Sequence, residues 1–199
     1  MNVVVRLILK GIFGCIGLAL IGINLPVLAQ KIEVPSTSET PPAIGKRVFA
    51  DVEGGYEIEL DNGWRTELAV ENNGRRLTEI IFRDRSYALL KVKKEKAPDE
   101  PLVEGDLVKT LITREMENDL RFRPDYKFVS QERFVNSVAR GALLQFTYKR
   151  VGKLMTGRYY YLQTTPDTVW VLRFIGEKTY LDPFRYQTDQ LARSFKPLP

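Results

Sequence analysis

The sequence predicts an α+β domain, with helices packed on a mostly antiparallel sheet. Three observations predict it. Short stretches in which apolar and polar residues alternate are separated by turns rich in Asn, Gly and Pro. One stretch, Leu107 to Leu120, changes to the three-and-four spacing of a helix. A second helix start, Asp182-Pro183, lies near the C-terminus. The order is therefore strands, helix, strands, helix, and the short connections between strands favour antiparallel pairing.

The chain begins with a targeting segment. Met1 to Lys10 carries Arg6 and Lys10 without an acid, and an apolar run, Gly11 to Ile23, follows. Val27 and Ala29 fit the small-residue positions before a signal peptidase cut, so residues 1–29 read as a signal peptide cleaved after Ala29. An uncleaved anchor is the alternative. Against it, the apolar stretch falls short of the roughly 20 residues of a span and is broken by Asn24 and Pro26. Ile12-Phe13-Gly14-Cys15 loosely resembles a lipobox, which adds lipidation at Cys15 as a further alternative, although most of the apolar stretch follows that cysteine. The expectation is an exported protein.

Residues 30–46, rich in Pro, Ser and Thr, read as a flexible leader, and the folded domain is placed at 47–199. Tyr56, Ile58 and Leu60 alternate with Glu57, Glu59 and Asp61, a half-buried strand ended by the turn residues Asp61-Asn62-Gly63. Trp64 opens a strand to about Glu71, and Asn72-Asn73-Gly74 turns it. Leu77 to Phe82 and Tyr87 to Val92 pair across Asp84-Arg85-Ser86, and Ala97 to Pro101 is a break.

The helix that follows presents Leu107, Val108, Leu111, Ile112, Met116 and Leu120 on one face. Glu104 and Asp106 suit its N-terminal dipole, and Pro124 stops it. Phe128 to Val135 and Ala139 to Tyr148 are strands, with Gly152 in a turn. Arg158 to Thr164 and Thr168 to Phe174 form a hairpin across Thr165-Pro166-Asp167. Asp182 is expected to cap the final helix, whose inner face is Phe184, Leu191 and Phe195.

Composition narrows the function. Of the 199 residues 44% are hydrophobic and 28% charged, which suits a globular chain. Cleavage leaves about 170 residues, enough for one domain with a core. Arg6 and Lys10 leave with the signal, taking the formal charge from +5 to +3. That mild excess suits an acidic protein partner or anionic headgroups, and it gives no sign of nucleic acid. The chain has no histidine, and its single cysteine lies in the signal. Zinc sites of the usual kind, thiol chemistry and histidine-based triads are therefore not expected.

Candidate chemistry is sparse. Glu57 and Glu59 share the solvated face of their strand, and Glu115, Glu117 and Asp119 read as helix surface charges. The acids are able to meet a hard cation such as calcium, but no EF-hand spacing supports a calcium loop. Tyr159-Tyr160-Tyr161 follows from strand propensity, and Trp64 and Trp170 read as core anchors. No phosphate loop and no nucleophile–base motif is present, so no enzyme and no cofactor is expected. Lys91, Lys93, Lys149, Arg150, Lys153 and Arg158 are the candidates for a basic partner-binding patch; Lys91 and Lys93 share a strand face by period two.

The order of segments resembles the PsbP family. Phe49-Ala50-Asp51, Gly55-Tyr56-Glu57-Ile58-Glu59-Leu60-Asp61-Asn62-Gly63-Trp64 match its opening; Thr168 to Phe174 and Leu191-Ala192-Arg193-Ser194-Phe195 match its closing strand and helix. The likeness covers about Phe49 to Leu198, with Asp61 where that family often has Pro. It implies an α/β/α sandwich around a central antiparallel sheet. It also implies a non-enzymatic extrinsic protein in a thylakoid lumen, helping photosystem II assembly or its oxygen-evolving side; the protein is expected to be a monomer, peripheral to the membrane. A periplasmic protein of the same fold, serving envelope transport or stress, is the alternative.

Overall fold

The computed structural model describes residues 45–70, 76–99 and 101–199. The expected signal segment, nearly all of the leader and the Asn72-Asn73-Gly74 turn lie outside the described residues. Before the first helix come β1 (Arg47–Asp51), β2 (Tyr56–Leu60), β3 (Trp64–Val70), β4 (Arg76–Phe82) and β5 (Ala88–Lys96). The helix α1 spans Leu107–Asn118. After it come β6 (Lys127–Val135), β7 (Arg140–Arg150), β8 (Lys153–Thr165) and β9 (Thr168–Glu177). The chain closes with α2 (Lys178–Leu181), α3 (Arg185–Ser194) and the short β10 (Lys196–Pro197).

Seven strands form one antiparallel sheet in the order β3-β4-β5-β9-β8-β7-β6, and β1, β2 and β10 form a second sheet. The middle strands of the large sheet are covered on both faces, so their side chains are apolar on both. Tyr159, Tyr161, Val169 and Val171 join the core under α1. Tyr160, Leu162, Trp170, Leu172 and Phe174 join the core under α3 and the small sheet. This is the α/β/α arrangement expected for the fold class.

The α1 face of the sheet is built as the spacing predicts: Leu107, Val108, Leu111, Ile112 and Leu120 are buried, and Met116 packs beside them. Asp106 caps the helix, its Oδ1 accepting from the Lys109 amide at 2.9 Å. The helix stops at Asn118, well before Pro124, and a 3-10 turn at Leu120–Phe122 carries Leu120 into the core.

The C-terminal helix differs from expectation. Helical backbone begins at Lys178, passes through a 3-10 turn at Asp182–Phe184 that contains Pro183, and continues as α3. Asp182 makes no cap. Its carboxylate instead accepts from the Thr156 hydroxyl at 2.7 Å and pairs with Lys178. Leu191 and Phe195 are buried and Phe184 packs beside them, as the spacing predicts.

Two strands escape the alternation rule, β1 as an edge and β10 as a two-residue piece. Both are fixed by β2, which pairs with Arg47–Asp51 on one side and Lys196–Pro197 on the other. Ser194 ties this sheet to α3: its Oγ accepts from the Glu59 amide at 3.0 Å and donates to the Leu191 carbonyl at 2.8 Å. Asn136, in the β6–β7 turn, donates through Nδ2 to the Ala192 and Phe195 carbonyls, satisfying the helix C-terminus.

Candidate functional site

A cleft of about 760 Å³ opens on the α1 face of the large sheet, past the end of α1. Strands β4, β5, β7, β8 and β9 supply its floor, with Tyr148, Met155 and Tyr159 among the apolar side chains. Six cations line it, Arg85, Lys91, Arg123, Lys149, Arg150 and Arg173, against one carboxylate, Glu79. Period two explains why β5, β8 and β9 aim alternate residues at it.

The pairing within the cleft is close. Glu79, buried, meets Lys91 at 2.8 Å and Arg85 at 3.0 Å. Arg123 meets Asp119 at 2.6 Å and lies 4.8 Å from the Tyr148 ring centroid. Lys149 meets Asp125 at 2.8 Å, and Arg173 meets Glu115 at 2.8 Å. Arg150 is exposed and forms no ion pair among the described residues. The Lys149–Asp125 pair lies between two exposed side chains, contributes little and is screened by salt, so Lys149 stays exchangeable toward an incoming anion.

The structure brings Lys91, Lys149 and Arg150 to the cleft and separates the other expected patch residues from it. Lys93 is held by Glu95 at 2.6 Å, and Lys153, at the start of β8, by Glu177 at 2.5 Å. Arg158 corrects the expectation outright. Strand β8 starts at Lys153, so Arg158 sits within the strand, facing α2 on the other side of the sheet, and is 3% exposed. Its guanidinium donates to the Leu181 carbonyl at 2.9 Å and the Asp182 carbonyl at 3.1 Å. Sequence reasoning missed Arg85, Arg123 and Arg173, which are far apart in the chain and meet only through strand register and the turn after α1.

Burial pushes the Glu79 carboxyl up, but its hydrogen bonds with Lys91 and Arg85 outweigh this and hold it below its ordinary value. A carboxyl lowered in the folded state adds stability above its unfolded pKa and loses it as pH falls through the folded value. Stability of the domain should therefore decline below pH 4.5, and Glu79→Gln should flatten that part of the profile. Urea midpoints measured from pH 7 to pH 3 read this; parallel profiles for both proteins would refute it.

A smaller cavity of about 110 Å³ lies nearer α1, lined by Glu95, Glu115, Asp119, Tyr161 and Arg173. Glu115 is not the surface charge expected of it. Burial pushes its carboxyl up against the opposing effect of Arg173. Glu117 and Asp119 are exposed as expected. Burial also raises the phenols of all three consecutive tyrosines, that of Tyr159 to about 12. Tyr160 donates to Asp189 Oδ1 at 2.6 Å, fixing the sheet to α3. Phenols so raised stay protonated at neutral pH and make poor bases. Trp64 and Trp170 are core residues, as expected. Among the described residues no group of three or more acids forms a metal cluster.

The sequence matches no family model and no curated protein. Solved structures do resemble it. Cyanobacterial PsbP (CyanoP) from Synechocystis sp. PCC 6803 superposes with a TM-score of 0.57 at 14% identity, covering 79% of this chain and 95% of that one. LpqN of Mycobacterium tuberculosis, involved in cell envelope biogenesis, gives 0.54 at 11% identity, covering 78% and 91%. The Ran-binding protein Mog1p of Saccharomyces cerevisiae gives 0.51 at 8% identity, covering 78% and 97%. The chain thus shares the fold of PsbP, LpqN and Mog1p, and the likeness is one of fold.

Proposed function

We propose that this chain is an exported, non-enzymatic accessory protein that docks as a monomer, peripheral to the membrane, on a membrane-protein complex. The observation that carries the reading is the cleft, where most lining cations are ion-paired but half-buried Lys91 and exposed Lys149 are open to exchange with an incoming acid. Exchangeable cations of this kind draw an acidic surface and orient it. The buried carboxylate Glu79 is spent on Lys91 and Arg85, and among the described residues no nucleophile stands beside a base there. The resemblance to a cyanobacterial PsbP supports photosystem II as the complex.

The resemblance to LpqN favours a second reading, an envelope protein of the periplasm. A tagged copy, pulled from solubilised host membranes and analysed by mass spectrometry, separates the two. The photosystem reading expects photosystem II subunits or assembly factors, released by about 0.5 M salt, where the Debye length shrinks to a few ångströms. Envelope proteins in their place support the second reading and discard the first. Partners that persist unchanged in Lys91→Glu/Lys149→Glu chains would overturn the cleft as the docking surface.

A further inference from the structure

The hairpin between β7 and β8 turns on two residues, Val151 and Gly152, closed by the pair Arg150 and Lys153. Both turn residues have positive φ, 50° and 74°. That is the geometry of a type I′ turn, which Asn-Gly fits and a β-branched residue does not. Val151 is held there with its side chain 95% exposed. Neither packing nor turn chemistry explains valine at this position. Backbone strain held by an exposed apolar residue points to a contact outside the fold.

The surroundings identify that contact. Lys149, Arg150 and Lys153 flank the valine, all exposed, and Leu154 next to them is 45% exposed. Lys149 and Lys153 are the two cations already in solvent-facing ion pairs, and Arg150 has none among the described residues. The hairpin is not a loose end: the Lys149 amide donates to the Pro124 carbonyl at 2.7 Å, anchoring its base beside the turn after α1. An apolar tip inside a collar of cations on a rigid stalk suits the headgroup boundary of a bilayer. There the valine enters the acyl edge and the cations meet phosphate. Val151 stands at the rim of the cleft, where an acidic protein surface would reward the cations but leave the apolar tip without a matching contact.

We propose that the Val151 hairpin tip is a membrane-contact element that inserts into an anionic lipid surface, with Arg150 and Lys153 on the headgroups. The proposal rests on the peripheral docking reading and adds lipid as the second surface that the docked protein touches.

Flotation of the protein as purified from its host tests this, using vesicles of phosphatidylcholine with 30% phosphatidylglycerol against pure phosphatidylcholine. Wild type should float with the anionic vesicles. Val151→Asn should weaken that binding roughly tenfold, the scale of burying one valine, and Arg150→Gln roughly fivefold, the scale of one charge at such a surface. Because asparagine fits the turn, Val151→Asn should also melt at a higher temperature than wild type, which separates lost contact from lost fold. Whatever the N-terminal residues add is common to all variants. Equal flotation of wild type and Val151→Asn, or no flotation of either, overturns the proposal. A chain that ignores vesicles yet captures its protein partner in the pull-down loses only the lipid contact. A chain that floats but captures no partner loses only the docking reading.

Discussion

Replacing Trp170 with alanine should destabilise the domain by about 3–5 kcal/mol, the cost of deleting a large aromatic from a packed core. Trp170 is 3% exposed at the centre of the large sheet and is the hinge point of two layers. Its ring lies 6.1 Å from Tyr56 of the small sheet and 5.3 Å from Phe195 at the end of α3. Tyr56 and Phe195 stack on each other at 5.9 Å, so the three rings form one contact between the β1-β2-β10 sheet, the C-terminus and the main sheet. Truncation removes the common neighbour and leaves a void that the two stiff sheets cannot close. Melting should fall by about 10 °C for a domain of this size. A thermal scan of Trp170→Ala beside Trp170→Phe checks this. Loss below about 1 kcal/mol in the alanine variant would show that the small sheet does not depend on that contact.

Arg158→Ala should unfold the chain almost as readily and leave the cleft surface unchanged, an effect opposite to that of a docking residue. The guanidinium is the donor for the Leu181 and Asp182 carbonyls, which end α2 and lead into the 3-10 turn. It also approaches Gln145 Oε1 at 3.4 Å and Asp182 Oδ1 at 3.8 Å. Removing it strands buried carbonyls at about 1–3 kcal/mol each and empties the volume of its stem. The expected loss is about 3 kcal/mol or more, with Arg158→Lys recovering little because an ammonium lacks the planar fork. Chemical unfolding gives the answer: an Arg158→Ala domain as stable as wild type but deficient in partner capture would return Arg158 to the binding surface.

These two residues show how unevenly the sequence speaks. Trp170 was readable as a core anchor because it sits inside the uninterrupted apolar run Val169 to Leu172. Arg158 was misread because the residues before it, Lys153 to Gly157, include glycine and threonine and carry no apolar alternation to mark strand. Partner strands β7 and β9 on both sides extend the pairing through them regardless, from Lys153 to Thr165. Glu115 was misread for a related reason. Helical spacing gives the face of a residue but not the sheet residue opposite, and only Arg173, on β9, draws it inward.

The sequence by itself determined the fold class, the helix α1, most hairpin turns and the apolar faces, because these depend on period and turn chemistry among near neighbours. It also named the residues Ser194-Phe195 that resemble a family ending, whose physical work is to bind α3 to β2. Only the tertiary structure decided the two-sheet division, the cleft and the burial of Arg158. The reason is distance along the chain. β5 pairs with β9 and β10 with β2, so residues separated by most of the domain become neighbours through strand register. A cluster such as Arg85, Arg123 and Arg173 has no local spacing that records it; it exists once loop closure has brought distant strands into one sheet.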